Sequence, residues 1–166
     1  VDKAVKIAGI GIKNLVKIDM RPDFSLDPQK LSAAIEEDLK NGYTPCCVVG
    51  TLGTTGVTAI DPIRETGEIC SKYGLWLHVD AALGGTALLL PEYKWMLDGK
   101  EYIDSFVFNP HKWMFTNFDC SAFFVRDAGL LIRTFEILRS ILKPVPEDKL
   151  MITATGVYLS EEDSGL

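Results

Sequence analysis

What this chain can fold into is set most tightly by an alternation. Apolar runs of strand length at residues 46–52, 75–80 and 103–108 are separated by segments that open on a cap signal or a proline. Asp27-Pro28 and Asp61-Pro62 each put a capping carboxylate before a proline suited to the first helical turn, and Gly42 and Gly74 supply stops. Strand, helix, strand at this spacing implies right-handed crossovers and a mostly parallel sheet. In such sheets ligands gather outside the carboxyl ends of the strands. The runs here end in Gly53-Thr54-Thr55-Gly56, in Asp80-Ala81-Ala82 and in Asn109-Pro110-His111-Lys112.

Lys112 is followed by Trp113, Met114 and Phe115, surroundings in which desolvation favours a neutral amine able to attack a carbonyl. Taken singly, Lys112 reads as an exposed loop lysine and Asp80 as a turn aspartate. Together, on neighbouring strand ends, they form the pair that pyridoxal phosphate requires, a carboxylate for the ring nitrogen and an amine for the aldehyde. Three runs, His78-Val79-Asp80-Ala81-Ala82, Asp104-Ser105-Phe106-Val107-Phe108-Asn109-Pro110-His111-Lys112-Trp113 and Asn117-Phe118-Asp119-Cys120-Ser121-Ala122, carry a resemblance. They closely resemble the group II pyridoxal-phosphate-dependent amino-acid decarboxylases, the aromatic-L-amino-acid branch in particular, and the likeness runs over residues 1–135.

The resemblance implies part of the large domain of a fold-type I enzyme, an α/β three-layer arrangement on a mostly parallel sheet. It implies decarboxylation of an L-amino acid to its amine, with an aromatic substrate favoured by Trp113 and by residues 117–121. Lys112 would carry the cofactor as a Schiff base and Asp80 would meet the ring nitrogen. Thr55 would touch the cofactor, Asn109 would help bind its phosphate, and Ala82 would give a small surface near the ring. His111 either donates to the phosphate or orients the loop, and Gly84-Gly85 is either a second close surface or a plain turn. The family also implies a homodimer, with phosphate-binding and ring-stacking segments upstream of Val1 and a small domain beyond Leu166. The chain is therefore expected to be a fragment, with residues 1–138 in the large domain and 139–166 a loop-rich segment.

The rest of the chain fits one domain with a real core: 166 residues, 47% of them hydrophobic. A net charge of −6 without a basic block argues against nucleic acid or an anionic membrane as a standing partner. No apolar segment approaches a membrane span. Cys46, Cys47, Cys70 and Cys120 lack metal or redox spacing; the adjacent pair reads as small buried hydrophobes, and reduced thiols point to the cytosol. No metal site is expected. His78, inside an apolar run, reads as a hydrogen-bonded core histidine. A short helix is expected over residues 2–10, strands over 15–20 and 121–125, and helices over 91–97 and 130–138. The 46–52 run, continuously apolar, is expected to be covered on both faces.

Two rival functions stay open: aldehyde formation on the same scaffold, and an inactive fragment that serves only as an interaction domain. The first turns on a loop residue, because a phenol can return a proton to the substrate carbon and a phenyl ring cannot. By resemblance a tyrosine belongs there. An ungapped register from Lys112 offers Ile141, whereas an insertion around Pro144 and Pro146 offers Tyr158, the reading favoured here.

Overall fold

The computed structural model describes residues 1–141, in two units, Val1–Asp127 and a second beginning at Ala128. Helix α1 (Asp2–Ile7) closes before Gly9 and Gly11, both at positive φ. The strand expected at residues 15–20 does not form. Met20 makes one antiparallel bridge to Leu26, and the Arg21 N–H donates to the Ser25 carbonyl in the expected turn. A strand needs a neighbour, and this segment instead borders a cavity of about 980 Å³, whose walls include Val16, Ile18, Ile35, Cys47 and Val49.

Helix α2 (Pro28–Lys40) starts as its sequence dictates, with the Asp27 carboxylate accepting from the amides of Gln29 and Lys30 at 2.9 and 3.3 Å. Its buried stripe is Leu31 and Ile35, while Leu39 turns outward. Strand β1 (Cys47–Thr51) leads to α3 (Ile63–Tyr73), which stops at Gly74 in the left-handed conformation. Asp61 departs from expectation: it does not cap α3. Its two oxygens accept from the amides of Leu26 and Thr51, each at 2.7 Å, and so tie the segment before α2 to the end of β1.

Strand β2 (Trp76–Asp80) is followed by 3-10 turns at Gly84–Leu89 and Pro91–Leu97, where a regular helix was expected at 91–97. Then come β3 (Ser105–Phe108), the single-turn α4 (Pro110–Trp113), β4 (Ala122–Val125) and α5 (Ala128–Ile141), the last in the second unit. The sheet order is β1-β2-β3-β4. The first three strands are parallel, as the crossover spacing predicts, and β4 returns antiparallel.

In the register Val48 pairs with Leu77 and Gly50 with Val79. These positions face α2 and α3 and form the core with Leu31, Ile35, Ile63 and Cys70. The alternate residues Cys47, Val49, Trp76, His78 and Asp80 share the opposite face. Val49 there is 39% exposed and Phe123 52%, so β1 is not covered on both faces as expected; both of the longer helices in Val1–Asp127 lie on the other side. Cys46 and Cys47 are likewise exposed rather than buried. Cys70 is the buried thiol, and burial pushes its pKa up to about 12.

Candidate active site

The carboxyl ends of β1, β2 and β3 are joined by main chain. The Leu52 amide donates to the Asp80 carbonyl at 3.0 Å, the Ala81 amide to Val107 at 2.9 Å, and the Asn109 amide to Ala82 at 3.2 Å. The loops beyond the strands pack as closely as backbone allows. A side chain on Gly84 would meet the Leu52 carbonyl oxygen at 2.3 Å, and one on Gly53, which sits at φ 77°, would meet the Gly84 Cα at 2.8 Å. At Gly85 a side chain would collide with Phe108, so both glycines are required by packing of the chain on itself.

Asp80 lies at the end of β2 between Thr51 and Val107 on the uncovered face. Its Oδ1 accepts from the Ala82 amide at 3.0 Å. Among the described residues no cation pairs with it, which leaves half of this half-buried carboxylate available to a ligand. Lys112 is on α4, an exposed single turn held by its own amide on the Asn109 carbonyl at 3.0 Å. Its ammonium makes no hydrogen bond or ion pair among the described residues, so the amine is unengaged.

The Trp113 indole N–H donates to the Leu83 carbonyl at 2.6 Å, fastening the lysine turn to the loop that follows Asp80. Sequence reasoning took Trp113 as surroundings for the lysine and as a pointer to an aromatic substrate, and no motif marks an indole as a clamp. His111 is well buried, its Nδ1 accepting the Cys120 amide at 3.0 Å. The same nitrogen lies 3.1 Å from an Asp119 carboxylate oxygen. The Phe118 ring meets the imidazole edge-on at 4.8 Å.

Ala82 and Asn109 thus come together with Asp80 and the lysine turn. Thr55 stands apart from that stitching: it is exposed in the turn of the 53–59 loop, which closes on itself through the Thr54 hydroxyl accepting from Ala59 at 3.0 Å. Tyr158 lies outside the described residues. Ile141 is the last residue of α5. Three groups near the site went unread in the sequence, Trp76, Ser105 and the carboxylate of Asp61 as a tie. The large cavity at the β1 edge contains neither Lys112 nor Asp80.

A carboxylate without a cationic partner among the described residues, an unengaged lysine and the small side chain of Ala82 next to the carboxylate suit a flat, cationic-ring aldehyde, so the residues fit pyridoxal phosphate. Residues 1–150 match the family described as the pyridoxal-dependent decarboxylase conserved domain.

The chain belongs to that family.

Among its relatives is the histidine decarboxylase of Rattus norvegicus, 52% identical over 130 residues, which covers 76% of this chain and 20% of that protein. The phenylacetaldehyde synthase of Petunia hybrida is 41% identical over 143 residues, covering 85% of this chain and 28% of that protein. Among solved structures, the tryptophan decarboxylase of Catharanthus roseus in complex with L-tryptophan is 41% identical, with a TM-score of 0.77 over 80% of this chain and 29% of that one. The fold of this decarboxylase-family chain is accordingly the α/β fold-type I arrangement. The chain spans between a fifth and three-tenths of the length of these relatives.

Proposed function

We propose that this chain supplies the lysine-bearing wall of a pyridoxal-phosphate-dependent amino-acid decarboxylase that acts on an L-amino acid with an aromatic ring, imidazole included. The observation that carries the reading is the pairing of an unengaged lysine with an unpaired aspartate on strand ends stitched together by main chain. When bound, the cofactor supplies an electron sink for the bond to the departing carboxylate carbon. Lys112 would hold it through the aldehyde. Asp80, charged and anchored by the Ala82 amide, would keep the ring nitrogen protonated. Asn109, with His111 beside it, would serve the phosphate, and Thr55 would reach the cofactor from its loop. Trp113 keeps the lysine turn in register with the Asp80 loop. Tyr158 would return a proton to the substrate carbon.

The exposed rings of Phe115, Phe118 and Trp113 around the lysine support an assembly in which a second copy covers this turn, a homodimer. The four unpaired thiols suit a reducing compartment, the cytosol. Borohydride reduction of the cofactor-loaded, full-length protein followed by peptide mapping tests the reading. The label is expected on Lys112 and is lost in Lys112→Ala; label on another lysine overturns the assignment.

A further inference from the structure

On the face of the sheet that carries Asp80, three side chains form a chain of hydrogen bonds that the proposed reaction does not use. The Trp76 indole N–H donates to the Ser105 hydroxyl at 2.8 Å, and the same oxygen lies 2.8 Å from His78 Nδ1. Ser105 is 4% exposed and has no other described partner for its side chain. An indole N–H only donates, so the serine oxygen is the acceptor in that bond. If His78 also donated through Nδ1, the serine hydrogen would be buried without an acceptor, at the cost of an unsatisfied polar group. The arrangement that satisfies the serine and the indole sends the serine hydrogen to Nδ1 and leaves the histidine hydrogen on Nε2, which makes no side-chain hydrogen bond among the described residues.

We infer that Ser105 is a positioning residue for the site: it holds His78 in the neutral Nε2–H tautomer, so that Asp80, two residues along on the same face, keeps its charge for the ligand. This rests on the proposed role of Asp80. Burial lowers the His78 pKa, against the opposing pull of Asp80 and the Ser105 main chain, in keeping with a neutral ring. The groups around His78 are Asp80 on its own strand, Val49 across from it on β1 beside the Cys47 thiol, Ser105 on β3 after Asp104, and the Phe123 ring of β4 at 5.9 Å. None of these is a cation, so an imidazolium at position 78 would place a positive charge on the same strand face as Asp80 and would compete with the ring nitrogen for it.

The test uses the full-length protein with nitrogen-15-labelled histidine, the His78 signal being identified by its loss in His78→Gln. Nδ1 is expected to read as unprotonated and Nε2 as protonated from pH 8 down to pH 6. In Ser105→Ala the signal should move toward the imidazolium at the acid end, and the cofactor dissociation constant should rise at pH 6 by up to about tenfold, the equivalent of one pKa unit, while matching the parent at pH 8. Ser105→Thr, which keeps the hydroxyl, should restore both readouts. A His78 hydrogen on Nδ1 in the parent, or a Ser105→Ala protein with an unchanged His78 signal, overturns the inference. The nitrogen signals are read without turnover, so they stand or fall apart from the decarboxylase reading; an altered His78 signal with unchanged cofactor affinity would overturn the link to Asp80 alone.

Discussion

On the proposed function Asp80 and Lys112 would carry the chemistry, because neither side chain has an oppositely charged partner among the described residues. Asp80→Asn keeps the Ala82 hydrogen bond, since an amide oxygen accepts as a carboxylate does, but removes the charge. Turnover is expected to fall by on the order of a hundredfold, the kinetic equivalent of about 3 kcal/mol for one lost partner of a partly desolvated pair. Borohydride should still fix the cofactor to Lys112, so steady-state rates and reductive labelling together separate loss of charge from loss of binding. At position 158 the phenol itself is the hypothesis. Tyr158→Phe should divert product from amine toward aldehyde, whereas Ile141→Ala should leave the ratio alone; an unchanged amine-to-aldehyde ratio in Tyr158→Phe would remove that residue from the mechanism. The strand ends that carry Asp80 and precede Lys112 were legible in the sequence, because a strand that stops at a polar cluster is a local pattern. Ser105 was not, because a serine inside a strand looks the same whether its hydroxyl faces water or an imidazole.

At the scale of elements, helix starts divide the readable from the unreadable. Asp27-Pro28 and Asp61-Pro62 look alike in sequence, yet the first caps α2 and the second holds two amides from distant segments. Local chemistry proposes a cap, and tertiary neighbours decide whether a better use exists. Hydrogen bonds to a charged acceptor contribute about 1.5–3 kcal/mol each, so Asp61→Ala should destabilise the fold by about 3 kcal/mol after relaxation, measured by denaturant unfolding of the full-length protein. A value near 1 kcal/mol, the usual cost of a lost cap, would mean that the two ties contribute little. The β1 run misled for a related reason. Continuous apolarity suggests two covered faces, but whether the second is covered depends on what packs there, which the run itself does not encode.

At the scale of the molecule, exposed apolar surface on the sheet and the edge of β1, which has no strand partner among the described residues, bear on behaviour in isolation. Val49, Phe123 and the aromatic rings beside Lys112 expose apolar surface, and a strand edge without a partner offers its amides and carbonyls for pairing. The 166-residue chain expressed alone is expected to self-associate and to lose cofactor on dialysis. Val49→Lys should reduce that association without unfolding the protein, since the side chain already points to solvent. Gel filtration with light scattering decides the matter: a monodisperse monomer that retains cofactor would show that the open face needs no cover. The alternation from α2 through β3 was readable, because strand period and glycine stops are written within a few residues of where they act, whereas the strand expected at 15–20 and the helix expected at 91–97 depended on neighbours that the local pattern does not encode.

The frame that aligns Asp80, Ala82 and Asn109 is made of peptide groups: Leu52 to Asp80, Ala81 to Val107, Asn109 to Ala82. Peptide groups are the same whatever side chains they bear, so lineages can exchange the walls of the substrate pocket without disturbing the spacing of lysine and aspartate. The histidine decarboxylase and the phenylacetaldehyde synthase named above are both matched by this one segment. If the proposed site is the reacting centre, registration by main chain would permit divergence of that breadth, and substrate preference would then be sought away from the strand ends.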